Sequence, residues 1–305
     1  MDVKYTIIIP HYNSVASLGI LLASIPTKPE IQIVVVDDNS TQELDLLEKV
    51  INEDDRCELY KNTTGVQSAG ASRNVGLEYA RGKWVLFADS DDYFIDGLYE
   101  NLEYYYDNPS DVIFFTPTSI NTSTLKKSSR HYLYAGLIKN YINKPNRKNE
   151  IDLKYRFGVS WSKMIRRDLI TQNHIKFDCV LIGEDNIFST NVSINMKSFQ
   201  VTERTIYCVT KSDNTLMSTM NESKFENMVD VLIMRYGLLR KVLSKSELRK
   251  LGLAGDYLLV EAFINFGIKK VLKTMFKLYK NNVKLFAVSC FNLTVAIEIL
   301  KDRRK

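Results

Sequence analysis

The chain has 305 residues, 45% hydrophobic and 25% charged, which is enough to bury a core and excludes bulk disorder and collagen or coiled-coil classes. Four scattered cysteines with no CxxC pair, and three histidines (His11, His131 and His174), argue against a disulfide scaffold or structural zinc site and fit a reducing cytoplasm. Net charge is +5, but residues 222–305 hold 17 Lys or Arg against 8 Asp or Glu while the remainder holds 24 against 28, so the basic excess belongs to the tail.

In chain order, residues 5–9 form a β-branched run closed by Pro10 and read as a strand. No basic and then apolar leader precedes it, so no signal peptide is expected. Residues 14–25 read as a helix with Ser14 as candidate cap and an apolar face of Leu18, Leu21, Leu22 and Ile25. Strands follow at 31–36, 57–60, 83–88 and 112–115, with helices at 43–51, 68–80 and 95–106. Continuously apolar strands separated by helices predict an α/β fold with a mostly parallel sheet. Residues 121–150 read as loops around a short helix near 133–141. A helix starts at Gly183-Glu184-Asp185 and reaches about 194; residues 199–209 hold one or two strands. Beyond 221 the chain reads as helical and basic, with apolar periodicity over 225–243 and 256–279. The apolar stretch 285–300 is too short and too polar for a membrane span.

Sheets of this kind collect ligands beyond the carboxyl ends of their strands. Three polar clusters fall there: Pro10-His11-Tyr12-Asn13, Asp37-Asp38-Asn39-Ser40 and Asp89-Ser90-Asp91-Asp92. The aspartates of the last cluster repel one another unless a cation or hydrogen-bond donors offset them, and hard oxygen ligands suit magnesium or manganese. The alternative is a solvated turn with Asp92 or Asp96 capping the next helix. Asp38 can accept from a nucleobase or ribose hydroxyl, and Asp37 can close an Asx-turn. The small residues around Gly70 permit close approach of a ligand or a neighbouring backbone, and Arg73 can meet phosphate or fix a strand-end aspartate. Glu184 and Asp185 can supply a general base or cap their helix. Neither a GxGxxG nor a Walker A motif is present.

The segments Thr6-Ile7-Ile8-Ile9-Pro10-His11-Tyr12-Asn13, Val34-Val35-Val36-Asp37-Asp38-Asn39-Ser40, Gly70-Ala71-Ser72-Arg73-Asn74-Val75-Gly76 and Phe87-Ala88-Asp89-Ser90-Asp91-Asp92 stand in one order and spacing. In these the chain resembles the inverting, nucleotide-sugar-dependent glycosyltransferases of family 2. The likeness extends through about residue 115, resumes at Trp161-Ser162-Lys163 and Gly183-Glu184-Asp185-Asn186, and fades beyond about residue 220. It implies a GT-A fold, a Rossmann-like mixed and mostly parallel sheet flanked by helices, here with a helical C-terminal extension. It further implies a nucleotide-sugar-binding part over 1–120, an acceptor and base part over 121–220, and a basic helical region over 221–305.

By the same resemblance Asp38 meets the base of a UDP-type donor, and the main chain at Pro10, His11 and Tyr12 lines its pocket. Asp89-Ser90-Asp91 matches a DxD motif: Asp91 as direct ligand of Mn2+ or Mg2+, Asp89 nearer the ribose, and Asp92 as a second metal contact. Asp185 matches the base, with Glu184 beside it, and Trp161 and Lys163 fall on the acceptor side, with core and surface packing as the alternative for both. The implied acceptor is a saccharide or lipid-linked saccharide, at a cytoplasmic or inner membrane-facing location. The basic tail fits an anionic membrane surface or a homo-oligomer equally; nucleic acid is not expected, for lack of a motif or aromatic platform. The competing readings are a sugar-nucleotide nucleotidyltransferase, which lacks its Gly-rich basic loop here, and an inactive nucleotide-binding scaffold.

Overall fold

The computed structural model describes residues 2–180, 182–211 and 220–286. Its strands are β1 (Tyr5–His11), β2 (Ile31–Asp37), β3 (Cys57–Lys61), β4 (Trp84–Phe87), β5 (Tyr93–Phe94), β6 (Val112–Phe115), β7 (Thr118–Asn121), β8 (Lys163–Arg166), β9 (Phe199–Thr202) and β10 (Tyr207–Lys211). In the first half, helices α1 (Val15–Ala23), α2 (Leu44–Asn52), α3 (Ala69–Tyr79) and α4 (Leu98–Tyr104) alternate with strands, and α5 (Tyr132–Asn143), α6 (Arg147–Arg156), α7 (Arg167–Gln172) and α8 (Glu184–Asn195) follow. The chain continues through α9 (Glu222–Leu239), α10 (Lys245–Leu251), α11 (Asp256–Phe266) and α12 (Ile268–Lys280).

Seven strands form the main sheet in the order β3-β2-β1-β4-β8-β6-β9. Only β8 runs antiparallel to its neighbours β4 and β6. Every residue of β1 and β2 is buried. Alternate side chains serve opposite layers: Ile7, Ile9, Ile33 and Val35 join one apolar cluster, and Ile8, Val34 and Val36 the other. Helix α3 lies close over β1 because Gly76 has no side chain; a Cβ there would sit 2.5 Å from Ile8 Cγ2. A second sheet, β5-β10-β7, covers the carboxyl end of β4. A third apolar cluster joins Ile151 and Tyr155 of α6 to Phe225, Leu232, Leu258 and Leu278 of the C-terminal helices.

Several expectations are corrected. The 95–106 helix starts only at Leu98, after Gly97, because Tyr93–Phe94 pairs with β10. Asp92 and Asp96 therefore do not cap it. Ser14 precedes α1 but its hydroxyl makes no capping bond, turning instead to His11 Nδ1 at 3.5 Å and Ser90 Oγ at 3.2 Å. Helix α6 replaces expected loop, opened by Asn146, whose side chain accepts from Asn149 N–H. The 256–279 segment divides into α11 and α12 at Gly267, whose φ of +79° suits glycine. Among the described residues no helix is long and apolar enough to cross a membrane; the 285–300 stretch lies outside them beyond Phe286.

Candidate active site

The loops after β1, β2 and β3 are joined by three asparagines. Asn13 Oδ1 accepts from the N–H groups of Thr41 (2.8 Å) and Gln42 (3.1 Å), Asn39 Nδ2 donates to Asn62 O, and Asn62 Nδ2 donates to Val66 O. They frame a cleft of about 470 Å³ lined by Tyr12, Asn39, Thr41, Asn62, Gly65 and Gln67. Tyr12 is exposed, whereas His11 is buried. Burial lowers the His11 pKa against the opposing Asp37 charge. The His11 carbonyl accepts the Asp38 N–H at 2.7 Å, so the main chain near Pro10 and His11 is tied into the sheet and Tyr12 alone of the three lines the cleft.

Asp38 is buried, with Oδ1 accepting from Asn62 Nδ2 at 2.5 Å and Ser72 Oγ at 3.0 Å. Asp37 accepts from Ser40 N–H, the local turn expected of it.

After β4 the three aspartates diverge. Asp91 is exposed; desolvation by nearby protein and the Asp89 charge raise its pKa. Asp92 is 3% exposed and accepts from Tyr207 Oη–H at 2.9 Å and Thr210 N–H at 2.7 Å. It therefore faces β10, and the expected second metal contact is a structural anchor instead. Burial, Asp89 and Asp91 push its pKa well up despite those donors. Tyr207 also accepts Asp89 N–H, and Thr210 Oγ1 donates to Asp91 O at 2.7 Å. Among the described residues no three His, Cys, Asp or Glu side chains gather to hold a metal ion.

Arg73 projects from α3, 3% exposed, into a cluster of carboxylates. Its Nη2 is 2.5 Å from Asp89 Oδ1, and its Nη1 is 3.3 Å from Glu184 Oε1 and 3.4 Å from Asp185 Oδ1. The guanidinium also lies over the Phe177 ring, 5.3 Å from its centroid. Burial works against the charge, but Asp185, Asp89 and Glu184 outweigh it and raise the Arg73 pKa. Of the two roles open to Arg73, meeting phosphate or fixing a strand-end aspartate, the structure shows the second, and the guanidinium joins β4 to the start of α8. Gly70 permits the approach: a Cβ there would meet Asp178 O at 2.8 Å and Glu184 Cγ at 3.1 Å. Burial raises Asp185 to about 6, with Arg73 lowering it, Asp89 and Glu184 raising it, and the Ser160 hydroxyl lowering it.

The two expected acceptor residues are interior. Trp161 is 6% exposed and stacks on Tyr207 with centroids 5.7 Å apart. Lys163, in β8, is 2% exposed and donates to Phe157 O at 2.9 Å, Val159 O at 2.7 Å and Ser189 Oγ at 3.1 Å. Desolvation lowers its pKa to about 7, against the favourable charge of Asp185. Neither side chain is available to a sugar or phosphate. Sequence reasoning missed Tyr207, Thr210, Asn62 and Ser72, whose roles arise only where distant segments meet.

The model for "Glycosyl transferase family 2" matches residues 6–172, more than half of the chain. The poly(ribitol-phosphate) beta-glucosyltransferase of Bacillus spizizenii is 27% identical over 224 residues, covering 70% of this chain and 33% of that protein. The poly(ribitol-phosphate) beta-N-acetylglucosaminyltransferase TarS of Staphylococcus aureus is 29% identical over 224 residues, 71% of this chain and 37% of that protein. The chain thus spans about a third of the length of these curated relatives. A crystal structure of a S. aureus TarS fragment in complex with UDP-GlcNAc has the same fold, with a TM-score of 0.69 and 23% identity over 91% of this chain and 81% of that one. With the mixed sheet, the strand-end cleft and the acidic turn at its carboxyl edge, these matches make the chain a member of glycosyl transferase family 2.

Proposed function

We propose that the chain transfers a sugar, with inversion, from a UDP-linked donor to a hydroxyl of a saccharide or lipid-linked saccharide, at a cytoplasmic location. The observation that carries this reading is the gathering of Asp89, Glu184 and Asp185 on one buried guanidinium, at the same carboxyl end of the sheet as the Tyr12 cleft. Tyr12 offers a ring for a nucleobase to stack on, and Asp38, held through Oδ1 by Asn62 and Ser72, would accept from base or ribose through its other oxygen. The UDP-GlcNAc named for the TarS complex supports the donor class, and the poly(ribitol-phosphate) enzymes support a sugar-bearing polymer as acceptor.

In this reading Asp185 takes the proton of the acceptor hydroxyl while that oxygen bonds to the anomeric carbon. The bond from that carbon to the diphosphate oxygen breaks, and the nucleoside diphosphate leaves with the electron pair. A carboxyl with a pKa near 6 is ionised at neutral pH yet basic enough to share the proton in the transition state. Glu184, fixed by Arg73, positions Asp185 or touches the acceptor. A divalent cation, Mn2+ or Mg2+, fits only as an ion shared with the donor: Asp91, aided by Asp89, would hold it together with diphosphate oxygens. When bound, such an ion offsets charge on the leaving group.

Calorimetry of UDP- and GDP-sugars, with and without manganese, tests the reading when followed by assay of released nucleotide. UDP-sugar binding and acceptor-dependent release of UDP are expected. Pyrophosphate release would identify nucleotidyl transfer, and binding without turnover on saccharide and lipid-linked acceptors would leave a scaffold. Asp91→Ala is expected to abolish the manganese-dependent part of donor affinity; a full manganese response in that variant would remove Asp91 from the metal assignment.

A further inference from the structure

Helix α12 has no acidic residue, and its sides differ sharply. The inner side is buried and ion-paired: Lys270 donates to Glu222 at 2.8 Å and Glu226 at 2.5 Å, and Lys277 to Glu226 at 2.9 Å, all on α9. On the outer side Ile268, Leu272, Phe276 and Tyr279 are 59%, 60%, 69% and 75% exposed. At 100° per residue these four span an arc of about 80°. Lys269, Lys273 and Lys280 occupy the adjoining arc of about 40°, all exposed. Among the described residues nothing covers these four large apolar side chains, and beside a row of three cations they are not the surface of a helix that faces only solvent.

We propose that the outer face of α12 is a docking surface for an anionic lipid bilayer, with the apolar row entering the interface and the lysine row meeting the headgroups. Charge decides among the occupants. In a two-fold contact between copies, each lysine row would approach the other copy's basic face, with no acidic residue on α12 to answer it. An acidic peptide would match the lysines and leave the apolar row wet, whereas a bilayer satisfies both rows at once. Lysine stems let the ammonium groups reach headgroups while the helix lies in the interface plane. Helix α9 packs against both α8, which carries Glu184 and Asp185, and α12. A bilayer bound at the outer face of α12 is linked to the carboxylate cluster only through α9, and a lipid-carried acceptor fits this placement without being required by it. The docking claim itself does not depend on that chemistry.

Flotation of the full chain with phosphatidylglycerol/phosphatidylcholine vesicles, against pure phosphatidylcholine vesicles, tests the inference. Binding to the anionic vesicles alone is expected, weakening as salt rises. Each lysine near an anionic surface contributes about fivefold, so Lys269→Gln/Lys273→Gln/Lys280→Gln should bind about 100-fold more weakly. Leu272→Ser/Phe276→Ser should also release the protein although every lysine remains. These side chains are exposed, so circular dichroism and donor binding should match the parent. Equal binding to both lipids, binding to neither, or undiminished binding of the glutamine variant would overturn the inference. So would light scattering that shows a parent dimer becoming monomeric in Leu272→Ser/Phe276→Ser, which would make a second copy the occupant.

Discussion

The Tyr207 hydroxyl donates to Asp92 Oδ2 at 2.9 Å, joining two residues 115 positions apart. The same oxygen accepts Asp89 N–H at 2.9 Å. One phenol thus fixes both ends of the acidic turn after β4, and Trp161, stacked on its ring, supports it from behind. Asp92 is spent on holding the turn, which leaves Asp89 paired with Arg73 and Asp91 exposed.

Tyr207→Phe keeps the ring and its stack but removes a donor from Asp92 and an acceptor from Asp89 N–H. Leaving such buried groups short costs about 1–3 kcal/mol. Urea unfolding should show that loss, and calorimetry should show weakened donor binding through the loosened turn. Unchanged stability and unchanged binding would mean that Thr210 alone anchors the turn.

Arg73→Met leaves three carboxylates without their shared cation. Removing one member of a buried charge cluster costs about 3–5 kcal/mol. The carboxylates of the variant would bind protons more tightly in the folded state than when unfolded. Its stability should therefore rise on acidification through those pKa values, narrowing the gap to the parent. Denaturation at acid and neutral pH checks the sign; a gap independent of pH would remove electrostatics as its cause.

Lys163 gives a second pH signature. Its folded pKa of about 7 lies below its usual 10.5, so between those values the unfolded chain binds a proton that the folded chain does not. Its contribution to stability therefore grows as pH rises from about 7 towards 10.5 and is lost as pH falls through that range. Lys163→Met should flatten this slope in urea titrations across alkaline pH. A parent and variant with parallel slopes would show that Lys163 titrates normally.

The elements legible in the sequence were those whose environment is uniform along the strand. β1, β2, β4 and β6 are buried on both faces and so appear as unbroken apolar runs, and polar clusters necessarily mark their carboxyl ends. β8 was not legible, because Lys163 sits in it as a charged residue satisfied by carbonyls from residues 157 and 159. Resemblance alone places Trp161 and Lys163 on the acceptor side, with packing as the alternative, and their burial matches the packing. Asp91 and Asp92 are chemically identical neighbours; only β10 distinguishes them. The meeting of Arg73 with Asp185 crosses more than a hundred positions and has no local signal, although both residues stood out singly.

Asp185→Asn gives the most direct test of mechanism. Asparagine has nearly the same shape and hydrogen-bonds, but it cannot take a proton at neutral pH. Loss of a positioned general base lowers rates by about 100- to 10,000-fold. Sugar transfer should fall by that factor while calorimetric donor affinity stays near that of the parent, since Asp38 and Tyr12 are untouched. The parent rate should also carry a pH signature. Asp185 must be ionised to act, so kcat/KM should fall about tenfold per pH unit below its pKa of about 6 and level off above it. The residual activity of Asp185→Asn should lack that acid limb. If Asp185 merely opened α8, asparagine would serve as well, and both rate and profile would match the parent. Parent-like transfer would pass the base assignment to Glu184, which shares the same guanidinium.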